Sequence, residues 1–373
     1  MDADIVIIGA GTVGSAIAYG LTRIGQNVLV LDGEDRDFRA ATANFGLVWQ
    51  HGKGDGMPGY HAWTSHSVDL WRDFCTELEE LSSTDLQYEH DGGVALCLGE
   101  TEFEQRRSAL LRLHNQLSGT KADWEMIDRS QLQSLFPKVR LGDEVVGASF
   151  GRRDGHANPL RLLSALHMGI VRNGGRIRGG SPVRSIRSDM RGGFVVQTAS
   201  ERFSAARIVL AAGLGTKALA SQVGLDIPVR PQRGQILVTE RLQPLLPLPS
   251  FDARQTREGT VMMGSTTEET GFDASTTTSA AAAITSRVLR QFPQLGDAKL
   301  VRHWSGLRIM TPDHYPIYSE SETHPGAFVA QCHSGVTLAA VHALPLAQAI
   351  AAGRLPASLD IFHQRRFDVP QAA

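Results

Sequence analysis

Residues 4–32 constrain this chain more than any other stretch. Ile5 to Ile8 form an apolar run that reads as a buried parallel strand. Gly9, Gly11 and Gly14 follow as Gly-x-Gly-x-x-Gly. The pattern then predicts a helix over about 13–24 and a second strand from Val28 to Leu31, ending in Asp32. Each part has a physical role. Gly9 permits a tight turn, Gly11 lets a pyrophosphate approach the backbone, and Gly14 lets helix and strand pack closely. The helix start offers free N–H groups and the positive end of its dipole to phosphate. Asp32 stands about twenty residues beyond the first glycine, where an acid can accept the hydroxyls of an adenosine ribose.

The motif alone does not separate FAD from NAD. With 373 residues the chain exceeds one small core, and two joined domains are expected. A formal charge of −2 gives no electrostatic case for nucleic acid or an anionic membrane. Cys75, Cys97 and Cys332 are far apart and form no Cys-x-x-Cys. That spacing argues against a disulfide scaffold, a zinc site or an iron–sulfur cluster held by this chain alone. The sequence enters a core strand at once, and no apolar run of about 18 residues follows. The expectation is a cytoplasmic protein without an integral membrane segment.

Residues 63–81 repeat Trp63, Val68, Trp71, Phe74, Leu78 and Leu81 at helical spacing, and these read as core. From Leu86 the pattern turns to short strands, including 93–98 and 145–150, with a helix over about 102–117 between them. Asn158 and Pro159 form an N-cap with proline at the first helical position. Strands are then expected at 182–187, 194–198 and 207–211, the last running into Ala212 and Gly213. Further strand pattern lies at 228–239 and 261–264, with an alanine-rich surface helix at 279–292 and a strand at 327–331. Gly335, Val336 and Thr337 are expected to open the final helix, which Pro345 should kink. Nucleotide-type segments therefore occur at both ends and in the middle, with strand-rich segments between. The expected fold class is α/β plus α+β. A Rossmann-like domain (1–85, 152–222, 306–373) is interleaved with an antiparallel-sheet substrate domain (86–151, 223–305). A simple NAD dehydrogenase is not laid out this way.

These residues carry a resemblance. Gly9, Gly11 and Gly14 with Asp32, then Ala211 to Gly213, Arg233 to Gln235, Trp304 to Arg308 with Thr311 to Asp313, and His333 to Ala339 span nearly the whole chain. Together they resemble FAD-dependent amine and amino-acid oxidoreductases of the D-amino-acid oxidase, glycine oxidase and sarcosine oxidase superfamily. Ala43 to Trp49 and the Gly52-Lys53-Gly54 that follows look most like one branch. That branch holds the β subunits of heterooligomeric D-opine and D-hydroxyproline dehydrogenases, and the hydrogen cyanide synthase subunit is similar.

The resemblance implies extended, non-covalent FAD, because Gly306 stands where monomeric sarcosine oxidases carry a tethering cysteine. Gly9, Gly11 and Gly14 would lie under the pyrophosphate and Asp32 on the ribose. Asn44, Phe45 and Gly46 would pass beside the pyrophosphate and flavin ring, and Val183 would meet adenine through its backbone. Gly213 matches a second cofactor contact. The N–H groups of Gly335, Val336 and Thr337 would face the flavin pyrimidine edge. Arg308 is the first choice to grip a substrate carboxylate with paired hydrogen bonds.

The implied reaction is oxidation of an α-C–H by hydride transfer to flavin N5, giving an imine that hydrolyses. No strong catalytic base is required. His51, His303 and His333 are candidates for orienting the substrate or carrying a proton, and Lys53 is a candidate for a second acidic group. An FMN at a subunit interface is a further candidate, with Arg152, Arg153 and His156 as contacts or as a solvated loop. Pro159 stands where heterotetrameric sarcosine oxidase tethers FMN, so that FMN would be untethered. Any [2Fe–2S] cluster would belong to a partner subunit. The leading expectation is an FAD subunit that oxidises an N-substituted D-amino acid and passes electrons to α and γ subunits. The alternatives are a free-standing glycine- or sarcosine-type oxidase using oxygen, and a flavoprotein without turnover.

Overall fold

The computed structural model describes residues 1–33, 40–117, 122–190 and 192–368. Its first strand, β1 (Ala3–Ile8), lies at the centre of an eight-stranded sheet. It pairs in parallel with β2 (Val28–Leu31) on one side and with the strand Arg202–Leu210 on the other. The sheet continues through Ala327–Gln331 beyond Arg202–Leu210 and through Arg176–Arg178 beyond β2. Strand alternation sorts the residues of β1 between two cores. Ile5 and Ile7 join one buried cluster, Val6 and Ile8 the other. In β2, Val28 and Val30 divide from Leu29 and Leu31 in the same way. A parallel strand covered on both faces needs such an unbroken apolar run.

The first of these cores is helical. It holds α1 (Thr12–Arg23), α2 (Pro58–Ser82), the helix Pro159–Arg172 and the helix that begins at Ala339. The helix predicted at 63–81 starts one turn and more earlier, with Pro58 at its first position. Asn158 caps the middle helix, its side chain accepting from the Leu160 and Arg161 N–H groups. A Cβ on Gly20 would fall 1.8 Å from the Ala343 carbonyl oxygen, so α1 and the last helix touch through backbone.

A four-stranded antiparallel sheet stands beside this layer, in the order Ala253–Gln255, Thr260–Gly264, Arg230–Arg241 and Leu300–Met310. A three-stranded antiparallel sheet is built from Gly93–Leu98, Val145–Gly151 and Trp124–Asp128. The two share a third core with the alanine-rich helix Thr278–Gln291, whose Ala280, Ile284 and Val288 face inward at four-residue steps. The strand Leu300–Met310 is continuous, so the expected boundary between 305 and 306 falls inside one strand.

Two local expectations need correction. The strand expected at 182–187 is observed at Ser185–Ser188, and Pro182 and Val183 precede it as irregular backbone. The final helix begins at Ala339, not at Gly335. Residues 335–338 form a turn, because Trp71 Nε1 and Ser67 Oγ of α2 donate to the Thr337 carbonyl, at 3.0 and 2.7 Å. Pro345 is accommodated by a wide π turn at His342–Leu346.

His342 in that turn is buried. Its Nε2 lies 2.7 Å from the Tyr318 hydroxyl, while its Nδ1 has no partner. Burial lowers its pKa from 6.5 to about 3. The folded state therefore binds fewer protons than the unfolded state between those values. Stability is complete above about pH 6.5 and falls as the solution is acidified, by up to about 1.4 kcal/mol per pH unit. Urea midpoints measured from pH 7.5 to 4.5 should show this slope, and His342→Gln should remove one proton's share of it, leaving that of His333, whose pKa burial lowers likewise. A variant with the slope of the parent would mean that the imidazole is already charged in the fold.

Candidate functional site

The glycine loop between β1 and α1 is held from three sides. Gly9 N–H donates to the Leu31 carbonyl at 2.8 Å, and Ala10 N–H donates to Asp32 Oδ2 at 2.6 Å. His167, on the middle helix, brings Nε2 to 3.0 Å from both the Ala10 carbonyl and Ser15 Oγ. Ala211 N–H donates to the Ile8 carbonyl at 2.8 Å, which draws the second small-residue segment against the first. A Cβ on Gly14 would lie 2.0 Å from the Gly9 carbonyl oxygen. A Cβ on Gly11 would meet only the Ala41 methyl, at 3.8 Å. Gly14 therefore serves packing, while Gly11 leaves open space.

That space is a cavity of about 630 Å³. Gly9, Gly11, Asp32, Asn44, Val183, Gly213, His333 and Gly335 line it. Eight of the expected site residues, drawn from five separate segments, thus meet on one crevice. Gly14, Phe45, Gly46, Val336 and Thr337 stand close in sequence to lining residues but do not line it. Asn44 Oδ1 accepts from Gly46 N–H at 2.7 Å, and Phe45 O accepts from Arg254 Nε. A Cβ on Gly46 (φ +91°) would strike the Ala157 carbonyl oxygen at 2.4 Å.

The donor set fits a dinucleotide flavin. Thr12 Oγ1, in the first turn of α1, lines the crevice, is buried and has no hydrogen-bond partner. The N–H groups of Gly335, Val336 and Thr337 also have no protein acceptor among the described residues. Ser67 and Trp71 hold the carbonyls of this turn from α2, which turns its donors elsewhere. An oriented set of free N–H groups suits a group that gains negative charge on reduction.

Two cationic side chains, Arg308 and Lys53, act on the crevice-lining His333 without lining the crevice themselves. Arg308 stands on the strand Leu300–Met310, on the face it shares with Trp304, whose Nε1 lies 3.5 Å from the Ala43 carbonyl. Its neighbours Leu307 and Ile309, on the opposite face of the same strand, line the crevice. The Arg308 guanidinium donates to the Thr266 carbonyl at 2.9 Å and to Ser265 Oγ at 2.5 Å. No carboxylate lies within ion-pair distance of it among the described residues, whereas nearby Arg233 pairs with Glu268 and Asp273. Desolvation lowers the Arg308 pKa. Lys53 Nζ lies 2.9 Å from Ser334 Oγ and 3.4 Å from Thr337 Oγ1. Burial brings its pKa down from 10.5 to about 8. Both charges act on His333. Burial, then Lys53, Arg308 and His314, lower its pKa to about 3, so it is neutral at working pH.

Other candidates lie elsewhere. His51 does not reach the crevice: its side chain is fully buried, Nδ1 pairs with Asp154, and Nε2 lies 3.0 Å from Ser149 Oγ. His303 Nε2 lies 2.9 Å from Gln235 Oε1. Arg152 pairs with Glu125, Arg153 with Asp69 and Asp123, and His156 with Glu89. Sequence reasoning missed His167, Thr12 and Arg254, because no local pattern tells which loop a distant side chain will support.

The model of the FAD-dependent oxidoreductase family matches residues 4–349. The chain belongs to that family. Over 371 residues, covering 100% of this chain and 99% of the other, it is 44% identical to a protein named as a subunit of opine oxidase from Agrobacterium tumefaciens (strain Ach5). It is 41% identical over the same length to the same-named opine oxidase subunit from Rhizobium meliloti. The crystal structure of glycine oxidase from Geobacillus kaustophilus superposes with a TM-score of 0.86, covering 97% of this chain and 98% of that one at 23% identity. This FAD-dependent oxidoreductase thus has the glycine oxidase fold. No helix among the described residues is long and apolar enough to cross a membrane.

The two glycines should separate on substitution. Gly11→Ala should fold within about 1 kcal/mol of the parent, because its Cβ meets only an ordinary contact. It should nevertheless weaken FAD retention on the order of tenfold by filling the phosphate approach. Gly14→Ala should lose roughly 1–3 kcal/mol by overpacking against backbone. Thermal melts of the flavin-free protein and quenching of FAD fluorescence on rebinding read the two effects apart. Equal losses in both readouts for both variants would remove Gly11 from the cofactor path.

Proposed function

We propose that this chain is the FAD-bearing subunit of a heterooligomer that oxidises the C–N unit of an N-substituted D-amino acid, of the D-opine or hydroxy-D-proline type. The full-length similarity to proteins named as opine oxidase subunits supports both the substrate class and the existence of partner subunits. The observation that carries the site assignment is Arg308, a desolvated guanidinium without a carboxylate partner beside the crevice. When bound, FAD supplies the two-electron acceptor for the substrate α-C–H bond.

The remaining tasks belong to the protein. Arg308 binds the α-carboxylate and fixes the α-carbon. Its charge, together with that of Lys53, disfavours a cationic substrate amine and so delivers the amine neutral. His333 is too weak a base to keep a substrate proton; it orients rather than shuttles. His51, sealed behind Trp49, supports the wall through Asp154 and Ser149. Gly9, Gly11, Thr12 and Asp32 hold the adenosine diphosphate part, and the turn at Gly335 to Thr337 faces the flavin. In this reading residues 1–85, 152–222 and 306–373 hold the cofactor, and 86–151 and 223–305 cover the substrate.

Electrons leave through α and γ partners, one of which carries any [2Fe–2S] cluster. An interface FMN belongs to the same proposal, but its phosphate does not draw on Arg152 or Arg153, which are already paired. A panel of D-opines, hydroxy-D-proline, glycine and sarcosine should be read by anaerobic bleaching of the flavin. D-opines or hydroxy-D-proline should bleach it fastest. Arg308→Met should cost about 2–5 kcal/mol in kcat/KM, as for a truncated charged pair. Faster bleaching by glycine, with peroxide formed by the lone chain, would replace this reading with a glycine-type oxidase.

A further inference from the structure

Lys53 has no assigned partner, and its surroundings say what would satisfy it. It sits between Gly52 and Gly54, whose φ angles of +85° and +94° let the chain double back and turn the side chain inward. Its ammonium meets only hydroxyls, those of Ser334 and Thr337, and lies 6.0 Å from the centre of the Tyr60 ring. No carboxylate is within ion-pair distance of it among the described residues. Asp154 acts on it only from afar. That carboxylate is already committed to the N–H groups of Gln50 and His51 and to the His51 ring.

Holding a desolvated cation without an anion is unfavourable. Arg308 is in the same condition, and both act on His333, which is neutral and returns nothing. Two positive charges without a carboxylate partner among the described residues therefore act on one crevice-lining residue. The proposed function gives Arg308 the α-carboxylate of the substrate, which leaves the second charge over. A secondary amine bearing an acid on each nitrogen substituent would satisfy both.

We infer that Lys53 reads a second acidic group on the substrate and makes the site selective for dicarboxylated secondary amines over monocarboxylated ones. This rests on the proposed function, adds a specificity-determining residue to it and narrows its substrates to the D-opines, since hydroxy-D-proline carries one carboxylate. The competing role for Lys53 is with the cofactor, since Ser334 and Thr337 belong to the turn assigned to the flavin edge.

The test uses a matched pair of ligands. Iminodiacetate and sarcosine share the same N-substituted glycine unit and differ by one carboxylate. Their dissociation constants for the FAD-loaded chain are measured by anaerobic calorimetry. The parent should bind iminodiacetate at least tenfold more tightly. Lys53→Met should weaken iminodiacetate 30-fold or more and sarcosine less than threefold, and Lys53→Arg should restore part of the preference. Lys53→Gln gives the same reading should the methionine variant not fold. Three results would overturn the inference: no preference in the parent, equal losses for both ligands, or a shifted flavin potential with the preference intact. The two readings fail separately. D-opines that do not bleach the flavin, alongside an intact Lys53-dependent preference, would fell the proposed function alone. D-opines that bleach it equally well in Lys53→Met would fell the role of Lys53 alone.

Discussion

The contact on which most of this molecule depends is backbone against backbone, between the Gly9 carbonyl and the start of α1. Gly14 has no Cβ, and one placed there would sit 2.0 Å from that oxygen. The closeness lets α1 begin right above the end of β1, so that its first turn points into the crevice. Asp32 then reaches back from the next strand and takes the Ala10 N–H. The hydrogen bond ties the carboxylate to the loop, and the same residue lines the crevice. A single acid thereby shapes the turn and lines the space beside it. Strand burial on both faces fixes the register that makes this possible. A slip of one residue would send Ile5 and Ile7 into the wrong core.

The same logic explains which parts of the molecule could be read from the sequence. The N-terminal unit was legible because its strand, glycines, helix and acid are contiguous, and their spacing is set by backbone geometry. The helix at 58–82 and the strands at 93–98 and 145–151 were legible through hydrophobic periodicity. The turn at 335–338 was not. Small residues before an apolar run read as a helix start, and nothing local reports that Ser67 and Trp71, some 270 positions earlier, take the Thr337 carbonyl. His51 misled for a related reason. It lies two residues from Lys53, yet Asp154 and Ser149 turn its ring away into a sealed wall. Nearness in sequence suggested both side chains for the site, but the turn at 51–52 and the pairing with Asp154 direct the His51 ring into the wall.

Within the site, the contrast between Arg233 and Arg308 shows how the antiparallel sheet separates structure from chemistry. The two arginines lie on neighbouring strands, where Arg233 faces Leu307 and Arg308 faces Gln232. Arg233 is bound by Glu268 and Asp273 and so anchors the segment around 268–275 to the sheet. Arg308 rests on carbonyl and hydroxyl oxygens alone. Those contacts orient a guanidinium without neutralising it. A carboxylate partner would have made Arg308 another structural residue.

Orientation without neutralisation recurs at Lys53 and at the turn 335–337, and it gives the crevice its character. Hydroxyls hold the ammonium, and indole and serine hold the turn's carbonyls, so that charge and N–H groups are left without an anion among the described residues. Building such a site costs folding energy, because cations and N–H groups are withdrawn from water with no anion in return. In the proposed function ligand charge offsets the cost, phosphates at the α1 end and carboxylates at Arg308. The eight-stranded sheet and its two cores supply the stability against which that deficit is held, and the site can stay electrostatically unfinished because the fold around it is not.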